Sequence, residues 1–336
     1  MIILGIESSC DETSAAIVED GRKVLSNIVL SQAGIHAKYG GVVPEIASRA
    51  HTEAIYPLCE EALKCAGSPD IGAVAATYAP GLIGALLVGL NFGKALAYKL
   101  NAPFIPVNHI KAHVAAAYLE ESRKIEFPLL AFIASGGHTS IMELDNYTDF
   151  KLLGMTRDDA AGEAFDKTAR ALGFDYPGGA MIEQHAKLGD KTGVKIPLAK
   201  VEGSELDFSF SGVKTHVINY INTLKQKNGA LSNTDKCDIA ASFTENVILS
   251  VTSRIKRAIE ITGRKTLVCA GGVMANGDIQ AALKNLCEGM GVDLHIPDKK
   301  YCGDNAAMIA AQGYYEFSAG NTAGLGQNAF ASVNWG

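Results

Sequence analysis

The sequence predicts an α/β protein with two lobes, and three observations lead to this fold class. The chain has 336 residues, more than one compact core usually holds. Apolar runs separated by short polar turns form a strand meander at residues 1–30, and the same pattern recurs at 129–154. A strand, a glycine turn and a helix follow one another at residues 266–286. We therefore expect mixed sheets, a duplicated β-meander opening each lobe, and a central cleft.

The first meander consists of three apolar runs joined by polar residues. Strands are expected at residues 1–6, 14–18 and 23–30, with a polar loop at 7–13 and a turn at 19–21. In the second meander, strands are expected at residues 129–134, 139–144 and 150–154. Helices fit residues 44–65, 160–172, 234–261 and 305–317.

Residues 71–93 carry no charged side chain and are about long enough to cross a bilayer. Pro80 and Gly81 interrupt the stretch, and further glycines follow. We interpret it as a buried strand at 71–77, a turn, and a glycine-rich helix packed closely against a sheet. A membrane span is rejected.

Composition places the chain among ordinary soluble globular proteins. Hydrophobic residues make up 48%, and 30 basic against 36 acidic side chains give a formal charge of −6. Disordered, collagenous and strongly basic DNA-packaging proteins are excluded. The seven cysteines form no CxxC pair, which argues against a disulfide framework or a zinc ribbon. The N-terminus fits neither a signal peptide nor a transit peptide, so a cytoplasmic location is expected.

Three turns in order along the chain suggest a bound nucleotide. They are the polar loop from Glu7 to Thr13, the loop that contains Gly136 and Gly137, and GGVMAN from Gly271. Backbone N–H groups in such turns approach phosphates closely. Each turn alone is more often a plain connector, so only the three together support the interpretation.

His109 and His113 carry the sharpest local signal, in the motif HIKAH. If the motif is helical, the i, i+4 spacing puts both imidazoles on one face, where they could share a divalent ion. A metalloprotease helix would have Glu directly after the first histidine, but Ile110 stands there. A third ligand must come from elsewhere. Asp304, at an expected helix start, is by itself better explained as an N-cap.

Two acidic groups have open interpretations. The loop from Glu7 to Thr13 contains three carboxylates and is either a solvated turn or a site for a metal, a proton or an amine. Its Cys10 is more simply a packed thiol than a nucleophile. Asp166 and Glu183 could accept hydrogen bonds from ribose hydroxyls, or Asp166 could pair with a neighbouring base. The stretch DFSFSG from Asp207 could be a substrate loop or a strand edge.

Nine motifs occur in order along nearly the whole chain: GIESSCDET, GGVVPE, LLVGL, HIKAH, SGGHT, YPGG, DFSFSG, GGVMAN and GDNAAMIA. With them the chain strongly resembles the universal tRNA threonylcarbamoyl-transferase family, in its bacterial form. That family belongs to the actin, sugar-kinase and Hsp70 ATPase (ASKHA) superfamily. The resemblance implies lobe I at residues 1–126 with a C-terminal return segment at about 304–336, and lobe II, the nucleotide and substrate side, at 127–303.

The resemblance also implies the site residues. It assigns a divalent metal to His109, His113 and Asp304, with both histidines essential for catalysis, and gives Glu12 an assisting role at the reacting centre. Two histidines and a carboxylate suit zinc, iron(II) or manganese, with Fe²⁺ or Zn²⁺ favoured, while Mg²⁺ would accompany a bound nucleotide. The implied nucleotide and substrate contacts are Ala134, Ser135, Gly136, Gly137, His138, Asp166, Gly179, Glu183 and Asn276.

The implied reaction transfers L-threonylcarbamoyl from threonylcarbamoyl-adenylate (threonylcarbamoyl-AMP) to N6 of adenosine 37 in tRNAs that read codons beginning with A. A net charge of −6 is unfavourable for binding RNA phosphates, so help is expected from a TsaB-like paralogue and a TsaE-like ATPase. No membrane partner is expected. One alternative is an ASKHA-type ATPase or small-molecule kinase, but histidine is an unusual ligand for Mg²⁺. A metalloprotease is a less favoured alternative.

Overall fold

The computed structural model describes residues 1–120, 125–333 and 335, and positions 334 and 336 of the expected return segment lie outside this description. The chain divides into two compact units. Unit 1 comprises Met1–Phe127, Leu144–Lys151 and Ile296–Gly336, and unit 2 comprises Pro128–Glu143 and Leu152–His295.

Most of the described strands and helices lie where the sequence predicts them, but the strand Phe104–Asn108 and the helices Ala33–His36 and Ser211–Asn228 were not predicted. The strands are β1 (Ile2–Glu7), β2 (Glu12–Glu19), β3 (Lys23–Ser31), β4 (Ala73–Ala79), β5 (Phe104–Asn108), β6 (Leu129–Ala134), β7 (Thr139–Leu144), β8 (Phe150–Met155), β9 (Thr266–Ala270) and β10 (Asp293–His295). The helices are α1 (Ala33–His36), α2 (Pro44–Cys65), α3 (Ile83–Leu100), α4 (His109–Ala115), α5 (Ala161–Leu172), α6 (Gly178–Ala186), α7 (Ser211–Asn228), α8 (Asn233–Thr262), α9 (Gly277–Met290) and α10 (Ala306–Ser318).

Two five-stranded sheets repeat one topology, which confirms the duplication expected from the sequence. The first has the order β3-β2-β1-β4-β5 and the second the order β8-β7-β6-β9-β10. In the first sheet, β2 lies antiparallel to β1, and β4 lies parallel to it. In the second, β9 lies parallel to both β6 and β10. Each sheet therefore joins a meander to a pair of parallel strands.

Helices cover both faces of the first sheet because side chains along a strand alternate in direction. Leu4 and Ile6 of β1 join the buried cluster formed with α2 and α3. Gly5 points to the other face, where a Cβ atom would lie 2.3 Å from the Ala306 carbonyl oxygen. The missing side chain lets α10 lie directly on β1, so the start of α10 comes to the end of β1 that carries Glu7.

The first meander loop is shorter than expected. The apolar pattern predicts a polar loop at residues 7–13, but β1 includes Glu7, β2 begins at Glu12, and Glu7 still pairs with Ser14. Polar residues extend the strands here because their side chains have buried hydrogen-bond partners. Thr77 Oγ1, for example, donates to Glu7 Oε2 at 2.7 Å.

The apolar stretch at residues 71–93 is the expected strand, turn and helix. Among the described helices, α3 is long and apolar enough, by length and composition alone, to cross a membrane. It packs on the first sheet with glycines at the contact: a Cβ on Gly89 would lie 2.3 Å from Ser8 Oγ, and one on Gly93 would lie 3.0 Å from Ala76 Cβ. The glycines bring the helix axis close to the strands.

Candidate metal centre and nucleotide-contact residues

Helix α4 places both histidines of HIKAH on one face. Asn108 ends β5 and caps α4, because its Oδ1 accepts hydrogen bonds from the backbone N–H groups of Ile110 at 2.8 Å and Lys111 at 3.2 Å. The helix therefore begins at His109, and His113 follows one turn later. Their ring centroids lie 4.6 Å apart. The helical spacing expected for a shared ligand is present.

Asp304 joins the histidines instead of capping the next helix. The N-cap of α10 is Asn305, whose side chain accepts from the Met308 N–H at 3.1 Å. Asp304 Oδ1 lies 3.5 Å from His109 Nε2 and 3.3 Å from His113 Nε2. One potential ligand atom from each of the three residues lies within 4.8 Å of the others. The cap interpretation of Asp304 is therefore wrong.

Glu7 lies behind His109 and fixes its ring. Its Oε2 is 3.0 Å from His109 Nδ1, and the side chain is completely buried. Burial opposes ionisation of Glu7, but the charge of His109 and its hydrogen bond outweigh burial and lower the Glu7 pKa. Because Nδ1 is bound to the carboxylate, Nε2 is directed toward Asp304. Sequence reasoning missed this contact, since nothing in the spacing links Glu7 to a histidine 102 positions away.

The three residues fit a divalent cation. The His113 side chain is fully buried, and neither of its ring nitrogens has a hydrogen-bond partner among the described residues. A buried polar group without a partner is costly, and a metal bond would satisfy one nitrogen. Two imidazoles and one carboxylate leave coordination positions open for a substrate, a set used by iron(II) and zinc sites.

The carboxyl groups of the acidic loop lie close to Asp304. Burial, followed by the charges of Asp304 and Asp11, raises the pKa of Glu12 to about 9. Ser31 Oγ donates to Glu12 Oε1 at 3.2 Å. Crowded carboxylates of this kind favour a bound cation. Burial also raises the pKa of Cys10 far above its ordinary value, which supports a packed thiol over a nucleophile.

In unit 2, residues 134–138 form a tight turn between β6 and β7. The Ser135 N–H donates to the His138 carbonyl at 2.8 Å, and the His138 N–H donates to Ser135 Oγ at 3.2 Å. Cβ atoms on Gly136 and Gly137 would meet nothing within 4 Å. Next to the turn, Gly271 has φ +96°, and a Cβ there would lie 2.4 Å from the Ala134 carbonyl oxygen. The turns at Gly136 and Gly271 are therefore in contact.

The other expected nucleotide contacts take part in hydrogen bonds at the starts of α6 and α9. Asp166 Oδ1 accepts from the Gly178 N–H at 2.8 Å, next to Gly179. Glu183 Oε1 accepts from the Gly277 N–H at 3.2 Å, next to Asn276. Asn276 itself caps α9, accepting from two backbone N–H groups at 3.0 and 3.2 Å. All nine expected contact residues lie in unit 2, and several of them have structural roles as well.

The segment DFSFSG has a structural explanation. Phe208 and Phe210 are fully buried, and Phe208 forms a parallel bridge with Thr156 beyond the end of β8. Asp207 Oδ1 accepts from the Met155 N–H at 2.8 Å. The strand-edge interpretation accounts for these contacts.

Comparison with known proteins identifies a family. The family model described as "TsaD: tRNA N6-adenosine threonylcarbamoyltransferase" matches residues 23–311 of this chain. A protein of that name from Caldicellulosiruptor saccharolyticus is 49% identical over 337 aligned residues, covering 99% of this chain and 98% of the relative. Another of that name, from Clostridium perfringens strain SM101, is 46% identical and covers 100% of this chain and 98% of the relative.

Solved structures with low sequence identity share the fold. Full-length HypF, in its phosphate- and nucleotide-bound form, matches 95% of this chain and 46% of its own at 14% identity, with a TM-score of 0.61. Component A of the (R)-2-hydroxyglutaryl-CoA dehydratase of Acidaminococcus fermentans matches 95% of this chain and 99% of its own at 18% identity, with a TM-score of 0.52. The fold is of the ASKHA type, as expected from the sequence.

Proposed function

Since the chain belongs to the TsaD family of tRNA N6-adenosine threonylcarbamoyltransferases, an enzyme family that forms threonylcarbamoyladenosine in tRNA, we propose a specific reaction for it. The donor is threonylcarbamoyl-adenylate, and the acceptor is N6 of adenosine 37 in tRNAs that read codons beginning with A. The products are the modified tRNA and AMP.

The observation that carries the proposal is the convergence of His109 and Asp304 on the buried imidazole of His113, whose nitrogens accept or donate no hydrogen bond among the described residues. These three side chains would hold one divalent metal, Fe²⁺ or Zn²⁺. When bound, such an ion supplies a Lewis acid that makes the acyl-phosphate of the donor more electrophilic. Glu7 keeps His109 oriented for this task through the 3.0 Å contact with Nδ1.

The chemical step joins an amine to an activated carbonyl. N6 of the adenosine attacks the carbonyl carbon of the donor, a C–N bond forms, and the bond from that carbon to the phosphate oxygen breaks. The exocyclic amine must lose a proton, and Glu12, which a cation held beside Asp304 would keep ionised, is our candidate to accept it. Ser31 Oγ donates to Glu12 Oε1 and holds the carboxylate at the start of β2. The electron pair of the broken bond leaves with AMP.

Unit 2 would bind the adenylate. Around Gly136, Gly137 and Gly179 an added Cβ would meet nothing within 4 Å, so a ligand could approach the backbone N–H groups of these turns. Asp166 and Glu183 would accept hydrogen bonds from the ribose. The further contacts proposed are Ala134, Ser135, His138 and Asn276.

The proposal includes partner proteins that help to bind tRNA. A formal charge of −6 gives the isolated chain little attraction for RNA phosphates, so a TsaB-like paralogue and a TsaE-like ATPase are proposed to help in the cytoplasm. Weak and salt-sensitive tRNA binding by this chain alone is expected. Salt-resistant nanomolar binding would contradict the need for help.

The test is a reconstituted transfer assay. The purified chain is incubated with an unmodified tRNA transcript and the adenylate, with and without the two partners, and the digested tRNA is searched by mass spectrometry for threonylcarbamoyladenosine. We expect the nucleoside only when the chain is present, and none with His109→Ala. His216→Ala, a histidine on α7 outside the site, is the matched control. No product with every partner and metal supplied would favour the ATPase interpretation.

A further inference from the structure

A line of buried hydrogen bonds ends at the acidic turn that carries Glu12. It is made by two completely buried histidines, His36 and His51, with Gln32 between them. His36 Nε2 lies 3.1 Å from Gln32 Oε1, and Gln32 Nε2 lies 3.4 Å from His51 Nδ1. His51 Nε2 lies 2.9 Å from the carbonyl oxygen of Cys10. None of these side chains belongs to the proposed metal centre.

The hydrogen bonds have one consistent direction. The Val43 N–H donates to His36 Nδ1 at 3.2 Å, so the ring proton of His36 is on Nε2 and is donated to Gln32. The Gln32 amide then donates to His51 Nδ1, and His51 donates its Nε2 proton to Cys10. Both rings are neutral in this arrangement. Burial lowers the pKa of His51, in agreement with a neutral ring.

The ring of His51 holds both ends of a four-residue turn. Nε2 donates to the carbonyl of Cys10, while Nδ1 accepts from the hydroxyl of Thr13 at 2.7 Å. Between these two contacts, the Gln32 N–H donates to the Asp11 carbonyl at 2.9 Å. Glu12 lies inside this segment, at the start of β2, and Ser31 Oγ donates to its Oε1. Its position therefore depends on the backbone that His51 fixes.

We infer that His51 is a positioning residue for the transfer reaction: it clamps residues 10–13 so that the Glu12 carboxylate keeps its place relative to Asp304, with the Cys10 carbonyl fixing the His51 tautomer. This inference rests on the proposed role of Glu12. A displacement of a reacting group by about 1 Å can cost about 100-fold in rate, so a loose turn lowers kcat. Substrate affinity is unaffected, since His51 contacts no proposed binding residue.

Two substitutions separate positioning from general packing. His51→Gln puts an amide near the position of Nε2 and retains a donor for Cys10. His51→Asn reaches only the position of Nδ1 and leaves the carbonyl without its donor. In the metal-loaded chain assayed with its partners, we expect His51→Asn to lower kcat by about 10- to 100-fold. His51→Gln should stay within about threefold of wild type, and KM values and metal affinity should be unchanged in both variants.

A double-mutant cycle tests whether the effect passes through Glu12. In a Glu12→Gln background, His51→Asn should cause little further loss, because the group it positions is already gone. If the losses in kcat of the two single variants multiply in the double variant, the inference is overturned. It is also overturned if His51→Gln is as impaired as His51→Asn. Full activity of His51→Asn beside an inactive Glu12→Gln overturns the inference and leaves the proposed function intact. Full activity of Glu12→Gln overturns the proposed role of that carboxylate.

If His51→Asn folds poorly, a milder variant can test the contact between His51 and Thr13. Thr13→Val keeps the side-chain shape and removes the hydroxyl that donates to His51 Nδ1. We expect kcat to fall about twofold to threefold, because His51→Gln loses the same contact, with unchanged KM values. An unchanged kcat in Thr13→Val, together with a melting temperature equal to that of wild type, would overturn the clamp.

Discussion

Glu7 Oε2 and His109 Nδ1 lie 3.0 Å apart at a fully buried position, although the two residues are 102 positions apart in the sequence. The contact joins the end of β1 to the start of α4. It leaves the opposite nitrogen of His109 for Asp304. Carboxylate–histidine pairs of this kind support metal ligands in many proteins, because they fix the tautomer and the ring orientation.

Replacing Glu7 should weaken the metal centre without removing a ligand. We expect Glu7→Gln to lower metal affinity by about tenfold, and Glu7→Ala by up to about 100-fold, because His109 loses its charged partner. Titration of the metal-free protein with Co²⁺ or Zn²⁺ measures the affinity. Glu53→Gln, an exposed change on α2, is the control. Equal affinities in Glu7→Ala and wild type would refute the supporting role of Glu7.

His113 should link metal binding to stability. A ligand that binds only the folded state at 100 times its Kd adds about 2.7 kcal/mol to the free energy of unfolding. We therefore expect Zn²⁺ to raise the melting temperature of the wild type and chelation to reverse the rise. His113→Ala should show almost no metal-induced rise, whereas His216→Ala should behave as wild type. A full rise in His113→Ala would exclude it as a ligand.

A methyl group at Gly5 should separate α10 from β1. The Cβ of Gly5→Ala would lie 2.3 Å from the Ala306 carbonyl oxygen and 2.7 Å from the Ala310 nitrogen, so the helix must move. We expect a loss of about 3 kcal/mol in unfolding free energy, measured by urea denaturation, and weaker metal binding because Asp304 moves with the helix. Gly289→Ala on α9, where an added Cβ meets nothing within 4 Å, should cost nothing. Wild-type stability of Gly5→Ala would contradict the close packing.

Asp158 should contribute to stability in a pH-dependent way. Its carboxylate accepts from Ser209 Oγ and Ser211 Oγ and from the backbone N–H groups at the start of α7. Burial opposes its ionisation, but these hydrogen bonds outweigh burial and lower the pKa of Asp158. A lowered pKa gives stability that is complete above the unfolded value of about 3.9 and is lost as the pH falls through the folded value.

The matching measurement compares Asp158→Asn with wild type in urea. The variant should be less stable at pH 7, and the difference should shrink as the pH falls below about 4. Asp70→Asn, a change at an exposed aspartate before β4, should show neither effect. A difference that grows on acidification would mean that the carboxylate is not stabilised as an anion.

The fold could be predicted from the sequence because each element carries a local pattern. Apolar runs and turns located the strands of both meanders, and apolar patterns located helices such as α2 and α10. The extent of β1 and β2 could not be predicted. Glu7 and Glu12 are polar, and only their partners in the fold make a polar strand end favourable.

The sequence by itself determined the histidine pair, because an i, i+4 spacing is a property of one helix. It also determined the family, since its motifs extend along the whole chain. Only the tertiary structure decided that Asp304 is a candidate ligand and not a helix cap, because Gly5 lets α10 lie on β1 and Asn305 supplies the cap. The contacts of Glu7 and His51 likewise join groups from distant parts of the chain. Because only folding brings these groups together, sequence spacing does not predict the contacts.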